Sequence, residues 1–329
     1  VTNNTLTISQ QLITDRFMFR NKTLISAEAE QTAGVLVSFE RELEKRRPDV
    51  VLVVGDVTST MACTITAKKL TIPVVHVEAG IRSGDMTMPE EINRIVTDSI
   101  CDHFFTTTTL AGRLLSKTGI EDNRIHFVGN TMIDTLTHNL DRLQRPEVWE
   151  LADLKPKNYF LLTLHRPANV DDPVKLVEFL DAILNGTEKY RVVFPVHPRT
   201  RKSLESVNYS NERLIQTDPM GYLEFIYLLK NALAVITDSG GITEEATVLN
   251  VPCMTLRDST ERPETVTIGT NELVGTNPQD LAPYLKRLSR GEWKKGATPE
   301  LWDGRTSERI VEVLLRIYAR EVSNAAIRI

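Results

Sequence analysis

The sequence predicts an α/β protein with two doubly wound parallel-sheet domains that face a cleft, and three observations support this prediction. The chain has 329 residues, more than the roughly 100–200 of a usual domain, which suggests two domains. From Pro48 onward, short apolar runs alternate with amphipathic stretches, as in repeated strand–helix units. The near-continuous β-branched run Val50–Val54 is typical of a parallel strand that is buried on both faces.

Strands and helices alternate along the first half of the chain. The strand candidates are Val50–Val54, Ile72–Val77, His103–Thr107 and Ile125–Val128. The helix candidates are Met61–Leu70, Pro89–Ile100, Ala111–Lys117 and Met132–Leu143. The polar, proline-punctuated stretch Arg145–Lys157 predicts a linker, so residues 1–150 are expected to form the N-terminal domain.

The alternation restarts after this stretch. The strand candidates are Tyr159–Leu164, Val192–Val196, Leu233–Thr237, Pro252–Leu256 and Glu272–Val274. The helix candidates are Pro173–Leu184, Tyr222–Asn231, Ile242–Leu249 and Gln279–Leu288. Residues 151–308 are expected to form a second domain, followed by a long helix over Arg309–Val322. A ligand is expected in the cleft, at the carboxyl ends of the strands.

The composition argues against several classes of protein. The formal net charge is −5 and no Lys/Arg block is present, so nucleic-acid and membrane-surface binding are not expected. No apolar run approaches the ~20 residues of a membrane helix, and no signal peptide opens the chain. The three cysteines (Cys63, Cys101 and Cys253) are far apart, which fits neither a disulfide framework nor a zinc knuckle. We expect a cytoplasmic protein.

Three carboxylates follow neighbouring units of the N-terminal sheet. Asp56 comes after the first predicted strand, Glu78 emerges from the second, and Glu90 stands in the first turn of a helix. Each has a structural alternative as well: a helix cap for Asp56, an ion pair with Arg82 for Glu78, and a favourable helix-dipole position for Glu90. Arg94 shares a helix face with Glu90. Carboxylates around one cleft push their pKa values apart, as acid–base catalysis requires.

The stretch VITDSGGITEEA carries the sharpest signal in the second half. A strand ends at Asp238, and Ser239, Gly240 and Gly241 open the next helix. Glycines permit close approach of a phosphate, and free backbone N–H groups at a helix start bind it. Glu245, just past the first turn, is placed to accept hydrogen bonds from ribose hydroxyls. The pattern is neither G-x-G-x-x-G nor a Walker loop, and it predicts phosphate binding.

Two His/Arg clusters follow strands of the second domain. These are His165 with Arg166, and His197 with Arg199; either a structural or a functional role fits them. Arg262, held stiffly before a proline, belongs either to a solvated charge run or to a phosphate or sugar contact. The spacings H-x-x-x-H and C-x-x-C are missing from the sequence, so no metal is expected.

Taken together, these motifs resemble the UDP-N-acetylglucosamine 2-epimerase family of the non-hydrolysing type. The stretches that carry the resemblance are VVGDVTSTMAC, HVEAGIRSGDMTMPEEINR, FVGNTMIDTL, TLHRPANVDD, FPVHPRT, TDSGGITEEATVLNVPC and RDSTERPETVTIGTNELVG. They occur in the family's order and extend from about Ala27 to the C-terminal helix. The resemblance implies a GT-B-like fold of two Rossmann-like domains, with the last helix (residues 309–329) crossing back onto the first domain.

The resemblance also implies roles for particular residues. The catalytic residues it implies are Asp56, Glu78, Glu90 and His165. The substrate-binding residues it implies are Arg94, Arg166, His197, Met220, Phe225, Ser239, Gly240, Gly241, Glu245 and Arg262. UDP would lie mainly on the second domain, with its phosphates on the Ser-Gly-Gly loop, its ribose at Glu245 and its uracil at Phe225.

The implied reaction interconverts UDP-GlcNAc and UDP-ManNAc without a cofactor or metal. UDP is eliminated to give 2-acetamidoglucal, and it adds back at C1 as a proton reaches the opposite face of C2. The alternatives are a hydrolysing epimerase, an epimerase of a modified UDP-sugar, a glycosyltransferase and an inactive UDP-sugar sensor. The family also implies a homodimer.

Two features depart from the family pattern. The family's opening strand and its Gly-Thr-Arg-Pro-Glu loop have no counterpart in this chain, so the first strand of the N-terminal sheet is expected to be absent. Ala168 stands where many relatives carry an acidic or hydroxyl residue.

Overall fold

The computed structural model describes residues 28–187 and 189–326 and divides into two compact units. Unit 1 comprises the residues up to Gly129 together with those from Glu308 onward, and unit 2 comprises Asn130–Ser307. The predicted α/β class with two parallel sheets is confirmed, because all strand pairs of the described residues are parallel. The expectation that a first strand is absent concerns residues 1–27, which lie outside the described residues.

In the described part of unit 1, four strands form a sheet in the order β1-β2-β3-β4. The strands are β1 (Val51–Val54), β2 (Val74–Val77), β3 (His103–Thr106) and β4 (Ile125–Phe127). The helices between and before them are α1 (Glu28–Lys45), α2 (Thr58–Lys69), α3 (Pro89–Ile100) and α4 (Thr109–Lys117). Helix α3 begins at a proline, whose fixed φ suits a first turn. Helix α1 was not predicted, although Val35, Phe39 and Leu43 recur at helical spacing and pack into the core.

Unit 2 contains a six-stranded sheet in the order β10-β9-β8-β5-β6-β7. Its strands are β5 (Tyr159–Thr163), β6 (Arg191–Pro195), β7 (Leu214–Thr217), β8 (Ala234–Thr237), β9 (Cys253–Thr255) and β10 (Asn271–Leu273). Its helices are α5 (Thr131–Asn139), α6 (Glu147–Leu151), α7 (Pro167–Val170), α8 (Pro173–Gly186), α9 (Pro198–Ser206), α10 (Tyr222–Asn231), α11 (Gly240–Val248), α12 (Pro263–Thr267) and α13 (Leu281–Ser289). The last helix is α14 (Thr306–Ala326).

Two elements of unit 2, β7 and α9, were not predicted from the sequence because they contain few apolar residues. Strand β7 is short, lies at a sheet edge and has a half-polar sequence. Helix α9 is strongly charged, with Thr200 and Leu204 as its buried residues. An edge strand and a peripheral helix bury little, so the hydrophobic periodicity that identifies central elements is weak in both.

The stretch predicted as a linker, Arg145–Lys157, lies inside unit 2 and contains helix α6. Its Trp149 is buried and packs edge-on against Tyr159 and Tyr227, with ring centroids 6.0 and 5.1 Å apart. One large aromatic side chain thus anchors a polar, proline-flanked stretch to the core. The observed boundary, at Gly129 and Asn130, falls earlier than the residue 150 predicted.

The last helix supplies part of the core of unit 1. Ile310 and Val313 of α14 pack in one cluster with Val75, Val77 and Phe105 of the sheet. The backbone carbonyl of Val128 accepts a hydrogen bond from Arg309 Nη1 at 3.1 Å. Among the described residues, no helix is both long enough and apolar enough to cross a membrane.

Gly80 makes a close backbone approach that only glycine permits. Its φ is +77°, and a Cβ there would lie 2.5 Å from the Ala111 carbonyl oxygen. Gly84 has a similar φ of +75° but open space around it. We expect Gly84→Ala to cost about 1–2 kcal/mol of unfolding free energy through backbone strain alone, and Gly80→Ala to cost roughly 3 kcal/mol or more. Urea unfolding of both variants measures this difference, and equal costs would contradict the packing argument.

Candidate active site

Asp56 lies just beyond the carboxyl end of β1 and binds an arginine of α3. Its Oδ2 accepts hydrogen bonds from Arg94 Nε at 2.9 Å and Nη2 at 2.8 Å, and its carbonyl oxygen accepts one from Asn93 Nδ2 at 2.9 Å. The alternative role as a cap for α2 is not realised: the N-cap residue is Val57, and no side-chain cap bond forms there. The structure therefore brings Asp56 and Arg94, which were predicted separately as site residues, into direct contact.

Arg94 is almost fully buried and bridges two carboxylates. Its Nη1 donates to Glu91 Oε2 at 2.6 Å, and Glu91 also accepts from the N–H groups of Ser83 and Gly84. Burial by itself would raise the pKa of Glu91. These donors outweigh burial and hold the pKa below its ordinary value, so Glu91 is an ionised structural anion. Because Glu91 keeps Arg94 in place, Arg94 is oriented toward Asp56.

Glu78 follows β2 directly and adopts a left-handed backbone conformation, with φ of 67°. This region is uncommon for a residue with a long side chain and costs energy. The Gly55 N–H donates to the Val77 carbonyl oxygen at 3.0 Å, so the ends of β1 and β2 lie side by side. Glu90 occupies the first turn of α3, half-buried, one residue before Glu91. All three predicted carboxylates therefore belong to segments that follow or adjoin the carboxyl ends of neighbouring strands.

A buried charged cluster lies next to these segments. Asp98 of α3 contacts His76 Nδ1 at 2.7 Å and Arg82 Nη1 at 2.6 Å, and it accepts from the Gly80 N–H at 3.1 Å. The sequence offered Glu78 as an ion-pair partner of Arg82. In the structure, the partner of Arg82 is Asp98. Sequence reasoning overlooked His76, although a histidine in the middle of an otherwise apolar strand is a usable signal.

In unit 2 the strand order reverses between β5 and β8, which is where open α/β sheets bind ligands. Asp238 follows β8 directly at this point and is fully buried. Its carboxylate accepts hydrogen bonds from the N–H groups of His165 and Arg166 and from Asn169 Nδ2, at 3.0, 2.9 and 3.2 Å. Burial opposes its ionisation, but the contact with His165 and these donors hold the pKa of Asp238 below its ordinary value.

The predicted histidines lie at the carboxyl ends of β5 and β6. His165 Nδ1 contacts Asp238 at 2.8 Å, and the ring centroids of His165 and His197 are 6.2 Å apart. Asp238 keeps the proton on Nδ1 of His165, and this leaves Nε2 available to a ligand. His197 caps α9 by accepting from the Arg199 N–H at 3.2 Å. Arg166 Nε donates to the Asp238 carbonyl oxygen at 3.0 Å.

The Ser-Gly-Gly segment opens α11 at the same end of the sheet. Ser239 is the N-cap residue but makes no side-chain cap bond, and its N–H donates to Thr237 Oγ1 at 3.0 Å. A Cβ on Gly240 or Gly241 would meet its nearest neighbours at 3.7 and 3.5 Å, which is ordinary contact. Packing in the protein therefore does not require glycine here. The small residues instead leave the first N–H groups of the helix accessible to an anion.

Arginines surround this segment and are held by buried glutamates. Arg262 Nε lies 2.8 Å from Glu244 Oε1, which also accepts from Asn130 Nδ2 at 2.7 Å. Arg257 binds Glu261 through both terminal nitrogens, at 2.7 and 2.8 Å. Fixed arginines beside a helix start favour a doubly charged phosphate group.

Glu245 is 3% exposed, and burial raises its pKa to about 7 despite a hydrogen bond from Tyr222. Its Oε1 has no hydrogen-bond partner among the described residues. An unsatisfied carboxylate oxygen in a buried position is costly, and a ligand hydroxyl would satisfy it.

Met220 and Phe225, predicted to contact uracil, lie at the start of α10, where both are partly buried against the core. Met220 also lines a cavity of about 590 Å³ between α6, the edge strand β7 and the first turn of α10. No cluster of three metal-ligating side chains occurs within residues 28–187 and 189–326.

Comparison with known proteins shows where the chain belongs. Residues 9–315 match the profile described as UDP-N-acetylglucosamine 2-epimerase. The chain belongs to the UDP-N-acetylglucosamine 2-epimerase family. The predicted family and the predicted isomerase class are thereby confirmed, and the chain is an epimerase by family.

Individual relatives agree with this membership. The UDP-N-acetylglucosamine 2-epimerase of Methanocaldococcus jannaschii is 43% identical over 297 residues, which cover 87% of this chain and 80% of the relative. The crystal structure of the M. jannaschii UDP-GlcNAc 2-epimerase in complex with UDP-GlcNAc and UDP matches with a TM-score of 0.78, over 88% of this chain and 82% of that one. This likeness confirms the GT-B-like class of the epimerase fold. The UDP-2,3-diacetamido-2,3-dideoxy-D-glucuronate 2-epimerase of Pseudomonas aeruginosa is 39% identical, over 88% of this chain and 80% of the relative.

Sequence reasoning about this epimerase missed the residues that orient the predicted ones. They are His76, Glu91, Asp98, Tyr222, Asp238, Glu244 and Glu261. Most are acids and several belong to the quoted motifs. For His76 and Asp238 the signal was a polar residue next to an apolar run that marks a buried strand.

Proposed function

We propose that this chain interconverts UDP-GlcNAc and UDP-ManNAc by elimination and re-addition of UDP. One observation carries the nucleotide part of this proposal: Glu245 Oε1 is buried beside the Ser239–Gly241 helix start and has no hydrogen-bond partner within the described part of the chain. A phosphate at the helix start and a ribose hydroxyl on Glu245 are together the features of a nucleoside diphosphate. The ligands printed for the M. jannaschii structure, UDP-GlcNAc and UDP, support the same class.

In the proposed reaction, the C1–O bond to UDP breaks as the C2 proton is removed, which gives 2-acetamidoglucal and UDP. The proton at C2 is not acidified by a neighbouring carbonyl. Cleavage of the C1–O bond therefore runs ahead of proton removal, and positive charge develops on the sugar. Asp56, Glu78 and Glu90 stabilise that charge and carry the protons. The Ser-Gly-Gly helix start, Arg166, Arg262 and His165 stabilise the departing diphosphate. Re-addition of UDP with protonation on the opposite face of C2 completes the epimerisation.

The direct test is proton NMR of UDP-GlcNAc incubated with the protein in deuterated water. We expect deuterium at C2 together with the signals of UDP-ManNAc. Accumulation of UDP and free N-acetylmannosamine would instead identify a hydrolysing enzyme. UDP binding without exchange at C2 would identify a nucleotide-sugar sensor.

The P. aeruginosa relative favours a second candidate substrate, a UDP-diacetamido uronic acid. Incubating the protein with each UDP-sugar separately decides between them by comparison of kcat/KM. The homodimeric state and the cytoplasmic location stay predictions. Ile92 and Ile95 are large apolar side chains that are exposed on α3. Replacing both by polar residues and measuring the molecular mass by light scattering would test whether this face forms the dimer.

Glu245 makes UDP binding depend on pH. Its pKa of about 7 in the free protein means that binding to ribose hydroxyls, which favours the ionised form, releases a proton near neutrality. We expect the Kd for UDP to rise by up to about tenfold from pH 8 to pH 6, beyond the change seen in Glu245→Gln. The diphosphate titrates equally with both proteins, so the difference isolates Glu245. Calorimetry in two buffers of different ionisation enthalpy measures the proton release.

Glu245 also makes the stability of the fold depend on pH, but in the opposite direction: higher pH strengthens UDP binding and lowers the free energy of unfolding. Because the folded pKa is raised above the unfolded value, its stabilising contribution is present at acid pH and is lost as pH rises through about 7. Glu245→Gln should therefore be more stable than the parent at pH 8, by on the order of 3 kcal/mol at most. Equal urea midpoints at pH 8 would contradict this assignment.

A further inference from the structure

The buried cluster of His76, Asp98 and Arg82 touches both turns that carry predicted catalytic carboxylates. The side chains of His76 and Asp98 are 0% and 3% exposed. His76 Nε2 lies 2.9 Å from the carbonyl oxygen of Gly55, the residue before Asp56. Asp98 Oδ2 accepts from the N–H of Gly80, two residues after Glu78, at 3.1 Å. One histidine and one aspartate thus join the ends of β1 and β2 to helix α3.

The partners of the cluster determine where its protons lie. Asp98 Oδ2 receives Arg82 Nη1 and the Gly80 N–H. Burial opposes the ionisation of Asp98, but His76 and Arg82 outweigh burial and hold the pKa of this carboxyl below its ordinary value, so the carboxylate is ionised. Both ring nitrogens of His76 then face acceptors, the Asp98 carboxylate and the Gly55 carbonyl, so both carry a proton. Burial opposes this charge, but Asp98, the Gly55 carbonyl and Glu78 outweigh it and raise the pKa of His76. The imidazolium is therefore locked between two fixed acceptors.

The backbone that this cluster holds is strained. Gly55, Glu78 and Gly80 all have left-handed φ values, of 71°, 67° and 77°, and Glu78 is the member that carries a side chain. Glycine adopts this region without strain, but a left-handed glutamate persists only where surrounding contacts over-determine it. Here the Gly55 N–H binds the Val77 carbonyl oxygen and the Ala79 N–H binds the Phe105 carbonyl oxygen, both at 3.0 Å. The cluster adds a contact at Gly55 and another at Gly80.

We propose that His76 and Asp98 are positioning residues that hold the turn of Asp56 and the strained turn of Glu78 in the geometry of the reaction. This inference rests on the proposed function for its catalytic part. His76 and Asp98 act through Asp56 and Glu78, and neither is assigned a contact with substrate. A displacement of about 1 Å at a catalytic group costs about a hundredfold in rate, so loss of the cluster affects turnover more than nucleotide binding.

The first experiment compares Asp98→Ala with Val75→Ala. Val75 precedes His76 on β2 and is fully buried in the core, so its truncation destabilises unit 1 without touching the turns. We expect Asp98→Ala to lower kcat by at least tenfold and to leave the Kd for UDP within twofold. Val75→Ala should keep kcat within about threefold. Equal loss of kcat in the two variants would reduce the cluster to a stabilising role and overturn the proposal.

The conservative variant Asp98→Asn serves as a rescue. Its carbonyl oxygen accepts from Arg82 and Gly80, and its amide donates to a neutral His76 that still binds the Gly55 carbonyl. We expect kcat within about fivefold of the parent, since the hydrogen bonds and not the charge position the turns. If Asp98→Ala does not fold, His76→Gln takes its place, because it leaves Asp98 paired with Arg82. We expect His76→Gln, like Asp98→Ala, to lower kcat and to leave the Kd for UDP nearly unchanged.

A stability cycle tests the strain without any turnover. Glu78→Gly removes the cost of the left-handed turn, so the cluster has less strain to hold. In the parent, loss of the cluster lets the turn relax, and the released strain offsets part of the cost; in Glu78→Gly no strain is left to release. We therefore expect Asp98→Ala to lower the urea midpoint more in the Glu78→Gly background than in the parent. Equal shifts in both backgrounds would contradict the link between the cluster and the turn. Because this cycle measures unfolding alone, it separates a failure of this inference from a failure of the proposed reaction.

Discussion

Glu78→Gln is expected to lower kcat for epimerisation by about three orders of magnitude, while the Kd for UDP stays within about twofold. Removing a positioned acid or base costs this much when the residue transfers a proton in the transition state. The predicted UDP-binding residues belong to unit 2, so a change in unit 1 leaves them intact. Glutamine keeps the shape of the side chain and the strain of the turn. Steady-state kinetics and UDP titration measure the two effects separately.

Two further variants separate chemistry from folding at this position. Glu78→Gly is expected to be equally inactive yet more stable by about 1 kcal/mol, because glycine adopts φ of 67° without strain. Glu121→Gln, an exposed glutamate in the same unit, should leave both kcat and stability unchanged. A Glu78→Gln protein that retains a tenth or more of the parent kcat would remove Glu78 from the proton chemistry.

Asp238→Asn is expected to destabilise unit 2 by roughly 3–5 kcal/mol and to abolish measurable UDP binding. All the groups that face this buried carboxylate are donors: the two N–H groups of His165 and Arg166, the Asn169 amide and His165 Nδ1. An asparagine places its own NH₂ against some of them, so donors face donors in a site without solvent. The end of the sheet that is predicted to bind phosphate loses its anchor as a result.

The same substitution at Asp171 provides a matched control. Asp171 binds Arg199 through both oxygens at 2.6 Å, but both side chains are about half-exposed. An exposed ion pair contributes little, so Asp171→Asn should cost under about 1 kcal/mol. Urea unfolding of both variants gives the comparison, and similar costs would mean that Asp238 does not organise the site.

Asp238 also makes the free energy of unfolding fall at acid pH. Its pKa is lowered in the folded state, so its stabilising contribution is present above the unfolded pKa of aspartate and is lost as pH falls through the folded pKa. The Asp238→Asn variant should lose this part of the acid transition, which a series of urea midpoints between about pH 2 and pH 5 would measure.

Much of the fold followed from the sequence because central strands have a strong local signal. Helices Pro89–Ile100 and Tyr222–Asn231 begin and end where the sequence predicted, since a proline marks the first start and apolar periodicity fills both. The elements that were missed, such as β7, bury little and have no comparable pattern. The boundary near residue 150 differed because Trp149, in a polar context, packs into the core of unit 2.

The sequence by itself determined which chemical groups stand at the ends of strands: Asp56, Glu78, His165 and the Ser-Gly-Gly segment. The end of a strand at a glycine or a charged residue depends on a few consecutive residues, so the local sequence pattern predicts it. Only the tertiary structure decided that Asp56 binds Arg94, that His76 and Asp98 hold both turns, and that Glu245 lies buried with one oxygen unsatisfied. Ion pairing and burial depend on residues that lie tens of positions apart in the chain, and their charges and pKa values exist only once those residues meet in the fold.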